Sequence, residues 1–134
     1  MIEVRSEINA PPAAVWALVG DFGGVAGWNP FVESAEVEGD GIGMTRVITA
    51  LGGARIEESL EGRDVDARRL RYSVRTQAGA RSTADIRLDD DGAGRTIVTW
   101  QSIREGEISP EQEDAITATL RSRIDALAQA VSVS

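Results

Sequence analysis

A chain of 134 residues, 42% hydrophobic and 27% charged, has the size and composition of one globular domain, and residues 1–134 are read as a single unit that can bury a core without disulfides. Its 14 basic and 22 acidic residues give a net charge of −8, which argues against nucleic acid and anionic membrane surfaces as partners, since both require a basic footprint. Cysteine and histidine are both absent: the first fits a cytoplasmic location, and the second removes the usual base near neutral pH, the commonest metal ligand and every Ser-His or Cys-His pair. The expectation is therefore no metal and no cofactor. Asp89-Asp90-Asp91-Gly92 reads as a solvated hairpin turn without the calcium-loop pattern, and neither Gly23-Gly24 nor Gly52-Gly53 follows a phosphate-loop pattern. No stretch reaches membrane-spanning length, so no integral membrane association is expected; the oligomeric state is unknown at this level.

In chain order, Ile2, Val4 and Ile8 alternate with Glu3, Arg5 and Glu7 and predict a half-buried first strand rather than an apolar signal core. Ala10-Pro11-Pro12 ends it and opens a helix carrying Val15, Trp16, Leu18 and Val19, with Trp16 read as core. Asp21-Phe22-Gly23-Gly24 breaks that helix, and a turn or second short helix runs to Gly27. Strands are predicted over 31–38, 42–50, 54–61, 68–76, 82–88 and 95–104. The turns between them are short, so the sheet should be mainly antiparallel.

The chain ends in a helix legible almost to the residue. Ser109-Pro110-Glu111-Gln112 is a capping box with proline at the first helical position. Glu111, Glu113 and Asp114 lie near the positive end of the dipole, and Arg121 and Arg123 come later. Ile116, Leu120, Ile124, Leu127 and Val131 form one apolar stripe. A sheet followed by one long amphipathic helix predicts an α+β domain whose sheet curls around that helix. Such a shape tends to enclose a cavity, which makes ligand binding the first functional hypothesis.

Strand parity then says which polar side chains should face inward. Arg46 shares a face with Met44, Ile48 and Ala50; Glu58 with Ile56 and Leu60; Glu33 with Phe31, Ala35 and Val37. Tyr72 falls with Leu70 and Val74, and Arg104 with Val98, Trp100 and Ser102. Glu33, Arg46, Glu58, Tyr72 and Arg104 are thus expected inside, where a charge is costly unless paired. Arg46 and Glu58 sit on adjacent strands of one hairpin and can form a cross-strand pair. That pair is either an internal salt bridge with a packing role, or a ligand-reading device in which Arg46 holds an anionic or carbonyl oxygen and Glu58 orients the ligand or takes its proton. Trp28 belongs to the segment covering one end of the cavity, and Trp100 is the best aromatic candidate for ligand contact. With Phe31, Glu33, Ile48, Val98, and Leu120 and Ile124 from the helix, these residues make up the expected cavity wall.

The order of elements carries a resemblance. Ala10-Pro11 precedes Val15-Trp16, Asp21-Phe22 leads to Trp28-Asn29-Pro30, and Gly41-Ile42-Gly43-Met44-Thr45-Arg46 follows. Gly52-Gly53, Glu58-Ser59-Leu60, the Asp64 turn, Tyr72 and Thr96-Ile97-Val98-Thr99-Trp100 complete the pattern over nearly the whole chain. It resembles the START/Bet v 1-like (SRPBCC) superfamily, the helix-grip fold, and most closely its polyketide cyclase/dehydrase-like branch. The resemblance implies a seven-stranded antiparallel sheet gripping the C-terminal helix, with a cavity between them. It implies a lipid, polyketide or other metabolite-like ligand, hydrophobic or amphipathic. The alternative it carries is an aromatase/cyclase closing a poly-β-keto chain by aldol chemistry and dehydration. There Arg46 would stabilise the enolate, Glu58 or Glu33 act as base and Tyr72 donate a proton. Whether the protein is an enzyme stays open at this stage, because one fold hosts many functions.

Overall fold

The computed structural model describes residues 1–132. Strand β1 (Ile2–Ile8) alternates buried and exposed residues as its sequence dictates. Ala10-Pro11 then turns the chain into helix α1 (Pro12–Val19), which buries Val15 and Val19 and stops at Gly20. Trp16 is half-buried and packs against the core as expected, with its ring over Gly20, where even a Cβ atom would come within 2.6 Å of it. A short 3₁₀ segment (Phe22–Gly27) buries Phe22 and Val25 and leads to Trp28.

Six strands follow: β2 (Val32–Glu38), β3 (Thr45–Ala50), β4 (Arg55–Asp64), β5 (Arg69–Thr76), β6 (Arg81–Asp90) and β7 (Thr96–Arg104). They form one seven-stranded sheet in the order β1-β7-β6-β5-β4-β3-β2, antiparallel throughout. The ends differ from the sequence reading by a few residues, each for a local reason. β3 begins at Thr45 rather than at position 42, since Gly41 and Gly43 hold positive φ in the preceding turn. Asp89 and Asp90 belong to β6; the turn proper is built on Asp91, whose carboxylate accepts from the Ala93 and Arg95 amides at 2.8 and 3.0 Å.

Two bulges interrupt the ladder, between Val32 and Ser34 in β2 and between Leu60 and Gly62 in β4. An extra residue on one strand increases twist and bends the sheet, which helps it curl. Helix α2 (Pro110–Ser132) closes the open side, packing on β1 and α1. Its start is the expected capping box: Ser109 Oγ accepts from the Gln112 amide at 3.1 Å, and Gln112 Oε1 accepts from the Ser109 amide at 2.9 Å. Leu120, Ile124 and Leu127 are buried, flanked by half-buried Ile116 and Val131. Full burial of each such side chain contributes about 1.5–3 kcal/mol, so it is packing on the sheet that holds α2 in place.

Candidate functional site

Between the inner face of the sheet, the 3₁₀ segment and α2 lies a cavity of about 220 Å³. β3, β4 and β5 form one wall with Ile48, Ile56 and Leu70 around Arg46, Glu58 and Tyr72; Ile86 and Trp100 form the next. Trp28, Asn29 and Phe31 stand at one end, and α2 contributes Thr119, Ser122 and Arg123. Asn29 is buried and braces this end by accepting the Phe31 amide at 3.0 Å, while Phe31 itself stays exposed at the rim. A larger depression of about 520 Å³ lies on the other face of the sheet, among surface ion pairs such as Arg75–Glu57 at 3.2 Å. It is open and polar, and offers no enclosure.

Arg46 and Glu58 are direct cross-strand partners in the β3–β4 ladder, and each is 4% exposed. Arg46 Nε donates to Glu58 Oε1 at 2.7 Å, and Nη1 donates to the Phe22 carbonyl at 2.7 Å. The guanidinium carbon also lies 3.9 Å from the Phe22 ring centroid and 4.9 Å from that of Tyr72. Those two rings meet edge-on, 5.6 Å apart at 61°. Arg46 is therefore neutralised by Glu58, faced by two aromatic rings and used to tie the 3₁₀ segment to the sheet.

Burial pushes the Tyr72 hydroxyl from its ordinary value near 10 up to about 12; the Glu58 carboxylate adds to this, and Arg46 and Arg123 partly oppose it. Because the folded state holds this proton more tightly than the unfolded chain, stability is fully present below pH 10 and is lost as pH rises towards 12. The loss should reach roughly 2–3 kcal/mol. Tyr72→Phe is expected to flatten this alkaline limb in urea titrations across that range. Tyr72 is the single tyrosine of the chain, so its ultraviolet ionisation spectrum reports the same group directly. An unchanged limb in the phenylalanine variant, with tyrosinate forming near pH 10, would contradict the assignment.

Other expected wall residues are placed differently. Glu33 is exposed and lines neither internal cavity: the bulge between Val32 and Ser34 adds one residue and reverses parity, so Val32 takes the inward place. Val98 is fully buried but packs in the core, two residues from Thr96, whose hydroxyl donates to the Ala10 carbonyl at 2.7 Å just before α1. Ile124 is also core; it follows Arg123 on α2, and one residue of helix rotates a side chain by about 100°. Leu120 lines a second cavity of about 200 Å³ together with Val74, Ile116 and Arg104. The two cavities share Ile56, Trp100, Thr119 and Arg123 on their walls.

Asn29, Thr119, Ser122 and Arg123 are wall residues that periodicity did not single out. The apolar stripe of α2 identifies its core face, whereas the cavity meets the polar flank beside that stripe. Arg123 was legible only as a cation in the later part of the helix. Among the described residues there is no group of three or more acidic, histidine or cysteine side chains able to hold a metal, and no helix is long and apolar enough to cross a membrane.

Comparison with known proteins places this geometry. A sequence family described as polyketide cyclase / dehydrase and lipid transport matches residues 1–132. No curated protein matches. Among solved structures, an uncharacterised protein from Bacillus thuringiensis is 21% identical, with a TM-score of 0.83 and 96% of each chain covered. Ara h 8.0201 is 17% identical, with a TM-score of 0.79, covering 99% of this chain and 97% of its own. DynU16, from the dynemicin biosynthetic locus, is 18% identical with a TM-score of 0.80; 98% of this chain aligns with 46% of that one. At these identities the likeness is one of fold: the Bet v 1-like helix-grip architecture.

Proposed function

Because the chain belongs to the polyketide cyclase / dehydrase and lipid transport family, we propose that it binds a small hydrophobic or amphipathic molecule between its sheet and its C-terminal helix. One observation carries this reading: a largely apolar cavity, partly open at the Phe31 rim, whose internal ion pair is already satisfied by itself. An apolar ligand body gains about 25 cal/mol per Å² of surface removed from water there, without having to break the Arg46–Glu58 pair. The two adjoining cavities together come within the roughly 300–1,000 Å³ of small-molecule sites. Ile48, Tyr72, Trp28, Phe31 and Trp100 are the contacts assigned to that body. We also propose a cytoplasmic location, which a chain without cysteine fits.

Acid/base cyclisation draws less support from the same geometry. Among the described residues Glu58 is the one carboxylate on the walls of either cavity, and it is engaged by Arg46 at 2.7 Å. Tyr72 keeps its proton up to about pH 12, too tightly for ready transfer near neutrality.

Native mass spectrometry of the protein purified from its own host tests the binding reading. A co-purified small molecule is expected in the wild type, and Ile56→Trp, which extends a half-buried wall residue into both cavities, should displace it. A wild type that carries nothing and takes up no apolar compound on addition would overturn it.

A further inference from the structure

The second cavity has its own electrostatic character. Among the described residues its wall carries no carboxylate and two arginines: Arg104 from β7, which also borders the depression holding Glu57, Glu61 and Glu105, and Arg123 from α2. The chain has 22 acidic residues against 14 basic ones, so unpaired interior-facing cations are unexpected. Several arginines of the sheet's outer face meet carboxylates, Arg69 with Asp85 at 2.8 Å, Arg75 with Glu57 at 3.2 Å and Arg87 with Asp89 at 3.0 Å, and those that do not, such as Arg5, Arg55 and Arg81, are exposed to water. Among the described residues, neither Arg104 nor Arg123 forms an ion pair. Arg104 Nε donates to Ser102 Oγ at 3.3 Å, and the Arg123 guanidinium lies 5.9 Å from the Trp100 ring centroid. Both side chains are half-buried.

The rest of the wall suits an anion's remaining lone pairs. Thr76, Ser82 and Ser102 add hydroxyl-bearing side chains, whereas the Thr119 hydroxyl donates to the Ala115 carbonyl at 3.0 Å. Trp100, 1% exposed and part of both cavity walls, has an indole N–H without an acceptor. Ile56, Val74, Ile116 and Leu120 complete the enclosure, and such apolar walls would be wasted on a free inorganic ion.

We propose that the second cavity is an anion subsite: Arg104 and Arg123 hold the carboxylate of an amphipathic acid whose apolar body runs past Ile56 and Trp100 into the first cavity. This rests on the binding reading above and names the class of ligand. Arg46 is excluded from the role by its partners, whereas the guanidinium forks of Arg104 and Arg123 are free of carboxylates and suited to one.

The test is titration of the full chain, by calorimetry and tryptophan fluorescence, with two matched pairs: decanoic acid against decanamide, and 2-naphthoic acid against 2-naphthamide, with inorganic phosphate alone as a third arm. The wild type should bind each acid about ten-fold or more tighter than its amide, the factor expected of one hydrogen-bonded charge pair. Arg104→Gln and Arg123→Gln should each remove most of that preference, read as the acid-to-amide affinity ratio within each variant. Arg123→Lys, which keeps the charge and loses the fork, should retain part of it. Thermal unfolding of every variant checks that these half-buried positions tolerate the change. Acids and amides binding alike, or a preference surviving in both glutamine variants, would overturn the anion subsite and leave the binding reading standing. Phosphate alone binding with the same arginine dependence would overturn the amphiphile in favour of a free anion. If none of the four organic compounds bound the wild type, the assignment would fall at its premise, together with the binding reading for ligands of this size.

Discussion

Glu58→Ala is expected to lower the free energy of unfolding by roughly 3–5 kcal/mol, among the largest effects available to a single substitution in this domain. The cause is the charge left behind. Arg46 is 4% exposed, and its remaining partners, the Phe22 carbonyl and two aromatic rings, offer partial negative charge and no counter-ion. Arg46→Met should cost a similar amount, because it strands the Glu58 carboxylate and frees the 3₁₀ segment that the Phe22 contact ties down. The double variant Arg46→Met/Glu58→Leu should recover most of the loss, since two apolar side chains of similar volume avoid both desolvation penalties. Urea denaturation of the two single variants and the double closes the cycle. Single variants costing under about 1 kcal/mol would mean that water reaches the pair, as it does in surface salt bridges.

The second large effect belongs to Trp100. Trp100→Ala should cost about 3–5 kcal/mol, as large-to-small changes of buried aromatic residues do when the surroundings cannot collapse. Here the walls resist collapse because Trp100 lies mid-strand, paired with Val4 on β1 and Ile86 on β6. The change would also remove a side chain that borders both cavities, so the variant should accept a bulkier ring than the wild type. Trp100→Phe is the informative control. It loses part of the ring's contact surface and also removes the N–H that has no acceptor, so its two contributions oppose each other. A phenylalanine variant as unstable as the alanine one would show that the indole N–H is satisfied in solution. Thermal and chemical unfolding, with uptake of ring compounds of increasing size, would check both expectations.

The strands, the capping box and the burial of Arg46 and Glu58 were legible because they follow from periodicity over neighbouring residues. Parity failed in β2 for a specific reason. One inserted residue at the bulge moves Glu33 to the solvent side, and a bulge carries no signature in that stretch beyond the residues themselves. Parity also reports a face and not a depth. Val98 and Trp100 share a face of β7, yet Val98 lies wholly within the core while Trp100 borders both cavities.

What the amino-acid sequence determined by itself was the element order, the antiparallel curl around a terminal helix and a charged pair placed inside it, since alternation, helical spacing and caps act over a few residues. Only the tertiary structure decided which cations are spent and which are available. Arg46, for which a packing role and a ligand-reading role both stood open, is neutralised by the strand beside it, whereas Arg104 and Arg123 come from β7 and α2 to a wall that carries no acid among the described residues. Whether a charge finds a partner depends on elements distant in the chain meeting in space, and no local pattern records that meeting.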